Sequence, residues 1–324
     1  MSEIVEEYEN WMGQLPENIR NKPVIQLAIP GSHNSMSYGI TRKSRLAPDA
    51  EKIVRRINKI CPCIVRRWAI TQNKDVLEQL QMGVRFFDLR IVAKESQFYF
   101  AHGLYSFAIN EVLWNIRIFL DLHPKEVVIL DFQHFYNFQD RDHLALQRIL
   151  RNIFQPKIYS KTDGPLVKWT LSRAEDTNKQ VVIIYRKFEP PEEFWPSFLW
   201  PTPWPNTAST QKLREFLTAR LHERNPQTGF VSQCVLTPTP TYIVLRVFFS
   251  LKRAAKTVNK KLSDWIDEQR PGSFKIGEDP RVNVILGDFV NLNDREFCKR
   301  VIALNQYHSS GRDKEVTEQN FSIC

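Results

Sequence analysis

No apolar run in this 324-residue sequence approaches the ~20 residues that a bilayer-spanning helix needs, so any membrane contact is expected to be peripheral. The opening stretch, MSEIVEEYENWMGQLPENIR, lacks both a basic start and an apolar core. That excludes a secretory leader and makes a cytoplasmic protein the expectation. Cysteine is scarce and odd in number, five in all, which fits reduced thiols better than a disulfide framework. Cys61 and Cys63 form a C-x-C without a second pair nearby, two ligands short of a zinc site. Glycine-rich phosphate loops are missing too: neither G-x-G-x-x-G nor G-x-x-x-x-G-K-[ST] occurs, which argues against dinucleotide and P-loop folds. There is no internal repeat. Acidic excess is also absent, with 45 Lys and Arg against 36 Asp and Glu and a net charge of +9. Such a balance suits polyanionic partners, among them phospholipid surfaces, nucleic acid and phosphorylated substrates. Nucleic acid is not expected, because no recognition motif or RNP-like aromatic strand accompanies the charge.

What is present points to an α/β chain with one large core. Hydrophobic residues make up 42% of the sequence, and short runs rich in Val, Ile and Phe recur, each followed by a polar break and a helical pattern. Strands are expected at 23–30, 84–92, 97–103, 126–135, 180–188, 229–238 and 281–290, with a short eighth near 197–204. Helical periodicity marks 73–83, where Gly83 suits the position just past a helix end, and 109–124, stopped by Pro124. Further helices are expected at 140–154, 210–224, 243–269 and 293–306. Seven or eight strands over this length predict a single distorted TIM (β/α) barrel over residues 20–310, with an N-terminal segment 1–19 and a tail 311–324.

Two stretches stand out from that frame. Residues 41–71 are too long for a simple β–α connection and cluster Arg and Lys beside Ile, Val and Trp68. They fit either an amphipathic surface laid on anionic lipid or a helical cover with a solvated basic face. Residues 190–206 place three tryptophans among prolines. A rigid substrate wall, a lipid-facing rim and ordinary loop packing all suit them.

In an α/β barrel the chemistry lies at the carboxyl ends of the strands. The stretch QLAIPGSHNSMSY sets His33 there, with Pro30-Gly31 expected to end the first strand. RFFDLR supplies Asp88 and Arg90 at i and i+2, on one strand face. YFAHG ends in His102, and ILGDF ends in Asp288. Two imidazoles, a guanidinium and two carboxylates at one mouth suit phosphoryl transfer. One imidazole takes the proton of an attacking hydroxyl, the other protonates the leaving oxygen, and arginine stabilises the phosphate charge. A carboxylate against each imidazole would fix its tautomer.

IPGSHNS, GVRFFDLR, YFAHGLY and EVVILDF, in that order, resemble the X region of phosphatidylinositol-specific phospholipases C, and among them the small X domain-containing proteins. The resemblance extends over residues 20–310 and implies a barrel that cleaves phosphatidylinositol to diacylglycerol and an inositol phosphate through a cyclic phosphodiester. It implies His33 as base on the inositol 2-hydroxyl and His102 as acid toward the diacylglycerol oxygen. Asp288 would orient His33, Asp88 would support His102, and Arg90 would contact the phosphate. Calcium-dependent members carry acids at the positions of Arg90 and Gln133, so Arg90 implies no metal and no other cofactor. Asn34 departs from the metal-independent branch, which has aspartate there. That departure sustains a second reading, a catalytically weak barrel that binds anionic headgroups or a protein partner. Arg186 and Lys187 resemble inositol-side groups, and Trp204 or Tyr185 would stack on the ring. The partner implied is a phosphoinositide in an anionic membrane.

Overall fold

The computed structural model describes residues 8–239, 242–243 and 249–308; the expected tail 311–324 and the first seven residues lie outside them. Helix α1 (Glu17–Arg20) precedes β1 (Ile29–Ser32), and the long connection after β1 holds α2 (Lys52–Ile60), α3 (Pro62–Ala69) and α4 (Val76–Gln81). Strands β2 (Phe86–Lys94), β3 (Gln97–His102) and β4 (Leu104–Ala108) follow, then α5 (Ile109–Leu122), β5 (Val128–Tyr136), α6 (Asp140–Phe154), α7 (Leu171–Thr177) and β6 (Val181–Tyr185). The chain continues through α8 (Thr210–Leu221), β7 (Val231–Cys234), α9 (Leu251–Lys261), α10 (Ser263–Glu268), β8 (Val284–Gly287) and α11 (Leu292–Ala303). Local chemistry sets several boundaries. Asp75 and Glu78 exchange hydrogen bonds as a capping box at the start of α4, and Gly83, at φ +98°, follows its end in the left-handed region. Pro62 opens α3, where its missing N–H costs nothing.

Six strands run parallel in the order β6-β5-β2-β1-β8-β7, a (β/α) barrel left open between its end staves. The expected third strand departs from this scheme. β3 turns back antiparallel on Ile91–Lys94 of β2, and β4 pairs antiparallel with β3. The turn at Glu95 and Ser96 has φ of 51° and 63°, as a two-residue hairpin requires. The first strand also differs. Residues 24–26 form a 3₁₀ turn, and Pro30-Gly31 lies within β1 instead of ending it. Pro30 still serves the sheet by accepting from the Arg85 N–H. Gly31 is needed for close approach, since a Cβ there would stand 3.0 Å from Val284 Cγ1 and 3.2 Å from Phe86 Cδ1. The helix expected at 243–269 is two, α9 and α10, and part of its first portion lies outside the described residues.

The eighth strand expected near 197–204 is instead a 3₁₀ turn, Ser197–Leu199, inside a segment that spans the β6–β7 gap. Trp195 exchanges backbone hydrogen bonds with Ile183 and Tyr185 on one side, while Leu199 and Pro201 carbonyls accept from Gly229 and Val231 on the other. Prolines 196, 201, 203 and 205 carry no N–H, so the segment cannot form a regular ladder. Trp195 and Trp200 are buried in the core, which settles these two rings as packing, and Trp204 is 39% exposed.

Candidate active site

Side chains at every second strand position share a face. On the inward face the lower rungs are apolar: Ile29, Phe86, Ile129, Val182, Ile184, Val231, Val284 and Leu286 form one buried cluster. The opposite face, with Phe87, Leu130, Ile183 and Ile285, packs on Leu80, Leu113, Leu150, Leu217 and Val258 of the helices. Carrying the inward parity toward the carboxyl ends gives His33 after β1, Asp88 and Arg90 on β2, Asp131 and Gln133 on β5, Arg186 after β6, Gln233 on β7 and Asp288 after β8. The barrel is therefore apolar below and charged at its mouth.

His33 is the hub. Its Nδ1 lies 2.7 Å from Asp288 Oδ1, and its Nε2 lies 3.0 Å from Asn34 Nδ2 and 3.1 Å from Arg90 Nη2. Amide and guanidinium nitrogens only donate, so Nε2 accepts and Nδ1–H donates to Asp288. The Nε2 lone pair therefore faces the mouth. Backbone geometry sharpens this placement. Asn34 and Phe289, each just past a site residue, have φ of 41° and 46°, a region costly for a phenylalanine. Thr71 and Gln72 hold both turns. The Thr71 carbonyl accepts from the Phe289 N–H and its hydroxyl donates to the His33 carbonyl. The Gln72 amide donates to the carbonyls of His33 and Gly287.

Asp88 is committed elsewhere than expected. Its Oδ2 accepts from the Asn34 N–H at 3.0 Å and from Arg90 at 3.4 Å, and no hydrogen bond or ion pair joins it to His102 among the described residues. Burial pushes the Asp88 carboxyl up, but Arg90, His33 and the Asn34 N–H outweigh it and hold it below the usual range. His102 instead donates Nδ1–H to the Ala69 carbonyl at the end of α3, 2.7 Å away. Its ring centroid is 6.1 Å from that of His33. Burial, then the positive charge of Arg90, lowers its pKa to about 4, against which the Ala69 hydrogen bond and then Asp49 pull upward. His102 is therefore neutral at pH 7. Asn34 Oδ1, Asp88 Oδ1 and Arg90 Nε are buried without partners around this cluster, which leaves hydrogen-bonding capacity for a ligand or water.

The other anticipated residues divide. Trp204 stands over the site, its ring 5.6 Å from that of His33. Arg186 forks Asp131 at 2.8 Å through both nitrogens and donates to the Trp200 carbonyl. Gln133 donates to Asp131 and to Thr202. Both thus tie the closing segment to the sheet. Burial pushes the Asp131 carboxyl up to about 6, with Arg186 opposing and Asp88 adding to the rise. Tyr185 is fully buried on the outward parity, against Phe135, Phe194 and the hydroxyl's partner His143, so it has no face to offer a sugar ring. Lys187 reaches away to Asp140.

A cavity of about 300 Å³ opens beside His33, Arg90 and His102. One wall is apolar, built by Val54, Ile57, Ile64, Val65 and Trp68 of α2 and α3 with Leu236 and Leu251. The basic 41–71 stretch is therefore, at least in its helical part, a cover of the mouth. Asp49, Trp68, Thr71, Gln72 and Tyr136 were not anticipated at the site. They come from connections or strand ends without periodic signal, apart from Tyr136, which continues the β5 run.

The profile of the family "Phosphatidylinositol-specific phospholipase C, X domain" matches residues 65–187. PI-PLC X domain-containing protein 2 of Mus musculus is 37% identical over 306 residues, covering 91% of this chain and 87% of that protein. PI-PLC X domain-containing protein 3 of Danio rerio is 36% identical over 313 residues, with 93% and 94% covered. Among solved structures, the phosphatidylinositol-specific phospholipase C of Listeria monocytogenes aligns with a TM-score of 0.63 at 19% identity, covering 92% of this chain and 98% of that one. A Staphylococcus aureus phosphatidylinositol-specific phospholipase C gives 0.65 at 18%, with the same coverage. At that identity the likeness shows the shared TIM-barrel fold.

Proposed function

Because the chain belongs to the PI-PLC X domain-containing proteins, we propose that it is a metal-independent phosphodiesterase that cleaves phosphatidylinositol-type lipids to diacylglycerol and inositol (cyclic) phosphate. The observation that carries this reading is the setting of His33, its Nε2 lone pair beside Arg90 and its Nδ1–H on Asp288. His33 takes the proton of the inositol 2-hydroxyl as that oxygen attacks phosphorus, and Asp288 stabilises the imidazolium that results. Arg90 binds the phosphate oxygens, and its unpartnered Nε is available to them. His102 protonates the departing glycerol oxygen, on the side where the apolar wall of α2 and α3 accepts the lipid portion. To serve as this acid, His102 takes up a proton from solvent when the phosphodiester binds. The bound anion favours that uptake by offsetting the Arg90 charge, which together with burial keeps His102 neutral in the free site.

The metal-free assignment rests on the donor set. A calcium cage needs clustered, free oxygens, whereas Arg186 occupies Asp131 and Arg90 sits on Asp88. One observation favours a second reading, a headgroup-binding barrel without turnover: buried His102 gives its Nδ1–H to a backbone carbonyl and, among the described residues, has no carboxylate hydrogen-bonded to it to hold it protonated.

Release of water-soluble inositol phosphate from phosphatidylinositol vesicles separates the two. Equal turnover in EDTA and in Ca²⁺ is expected, and a loss of about 10²-fold or more in H33A and in H102A. Activity confined to Ca²⁺ overturns the arginine argument. Vesicle binding that weakens with salt, without product, supports the second reading.

A further inference from the structure

The turn between α2 and α3 holds Cys61 and Cys63 with their sulfurs 3.0 Å apart, joined by a hydrogen bond. Cys63 is exposed and Cys61 partly so. Cys63 lies in the first turn of the eight-residue α3, where backbone N–H groups favour a thiolate. Arg67, one turn on, donates to the Cys63 carbonyl and brings Nη2 to 3.9 Å from its sulfur. The hydrogen bond from Cys61, and after it Arg67, holds the Cys63 thiol below its ordinary value, while donating that bond raises Cys61. The contrast within the molecule is sharp. Cys234 and Cys298 are buried, and burial raises both thiols, Cys298 to about 12.

We propose that Cys61 and Cys63 form a redox-sensitive dithiol that a hydroperoxide converts to an intramolecular disulfide. The Cys63 thiolate attacks the terminal peroxide oxygen, the O–O bond breaks, the other oxygen leaves as hydroxide from hydrogen peroxide or as alkoxide from an organic hydroperoxide, and Cys63 carries a sulfenic acid. The Cys61 sulfur then attacks the Cys63 sulfur, the sulfenic oxygen departs as water with the Cys61 proton, and the S–S bond closes. Two electrons pass from the dithiol to the peroxide, and a thiol reductant returns them. Pro62 between the two cysteines restricts the turn, and the sulfurs lie within about 1 Å of bonding distance. The helices joined there carry Val54, Ile57, Ile64, Val65 and Trp68 of the cavity wall. Oxidation therefore pins the turn of the cover over the site.

The test uses the full-length protein treated with hydrogen peroxide, then alkylated and digested with trypsin, which releases Ile60–Arg66 with both cysteines. That peptide is expected to lose about 2 Da, the mass of two hydrogens, and to resist alkylation. Dithiothreitol should restore two reactive thiols. In C61S the oxidation should stop at a sulfenic acid on Cys63, trapped by dimedone, and in C63S the remaining Cys61 should react several-fold more slowly. Two alkylatable thiols after peroxide treatment overturn the proposal, as do chain-to-chain disulfides in place of the internal one, or equal labelling of Cys61 in C63S and Cys63 in C61S. None of these measurements depends on lipid cleavage.

Discussion

His33 and His102 are the same side chain in two different settings. One gives its Nδ1–H to a carboxylate, the other to a backbone carbonyl 2.7 Å away. The second setting leaves a mark on stability. An unfolded histidine titrates near 6.5, whereas folded His102 stays neutral until about pH 4. Between those values the unfolded chain binds the extra proton, so this residue makes the fold less stable as pH falls from 6.5 to 4. Asp131, raised to about 6, acts in the opposite sense over roughly pH 4–6, so wild type must be compared with a variant. Urea midpoints at pH 7 and pH 4.5 are expected to fall closer together in H102Q than in the wild type; an equal or wider gap contradicts the assignment. The sequence displayed which residues stand at the strand ends but not what they touch. The partner of His102 is Ala69 O, and any residue has a carbonyl. Tyr185 was a different case, because strand parity alone separates it from Ile184 and Arg186 on the inward face.

Among elements, the helices were the most legible, and α6 spans the expected 140–154. Central strands declared themselves by buried Val and Ile runs. Two features stayed hidden. QFYFAHG has the same composition whether it runs parallel or antiparallel, and the Glu95-Ser96 turn lacks the Asn-Gly or Asp-Gly signature that marks such hairpins. The closing segment, expected as a short strand near 197–204, does not become one because its prolines remove the ladder donors. Its fit against β7 is nonetheless tight. A Cβ at Gly229 would fall 2.1 Å from the buried Trp200 ring. G229A is therefore expected to cost about 1–3 kcal/mol through overpacking, read as a lowered denaturant midpoint. An unchanged midpoint would mean that the ring can move aside.

At the scale of the whole molecule, the fully buried Arg85 and Glu126 lock the floor beneath the apolar rungs, 2.7 Å apart. Arg85 also donates to the Glu9 and Leu80 carbonyls, and Glu126 accepts from the Met12 and Gly13 N–H groups. The chain before β1 is thereby fastened under the barrel, with Trp11 and Met12 in its core. Removing the carboxylate leaves a buried, unpaired guanidinium. E126A should lose about 3–5 kcal/mol, and the protein that remains folded should keep the cleavage activity proposed for the far end of the barrel. Chemical denaturation with an assay on the folded fraction checks both halves. Composition indicated one large core, yet nothing in it specified this clamp, whose members are separated by 41 residues.

The proline-rich closure gives the barrel wall unequal resilience. His33, Arg90 and Asp288 extend from β1, β2 and β8, the staves flanked by a neighbour on either edge, whereas β6 and β7 each rest one edge on a segment that mainly lends carbonyls. Thermal breathing concentrates where backbone pairing is thinnest. Any parting of the wall is expected along that seam, away from His33, Asp288 and Arg90, so the thinly paired edge and the charged cluster occupy separate arcs of one ring.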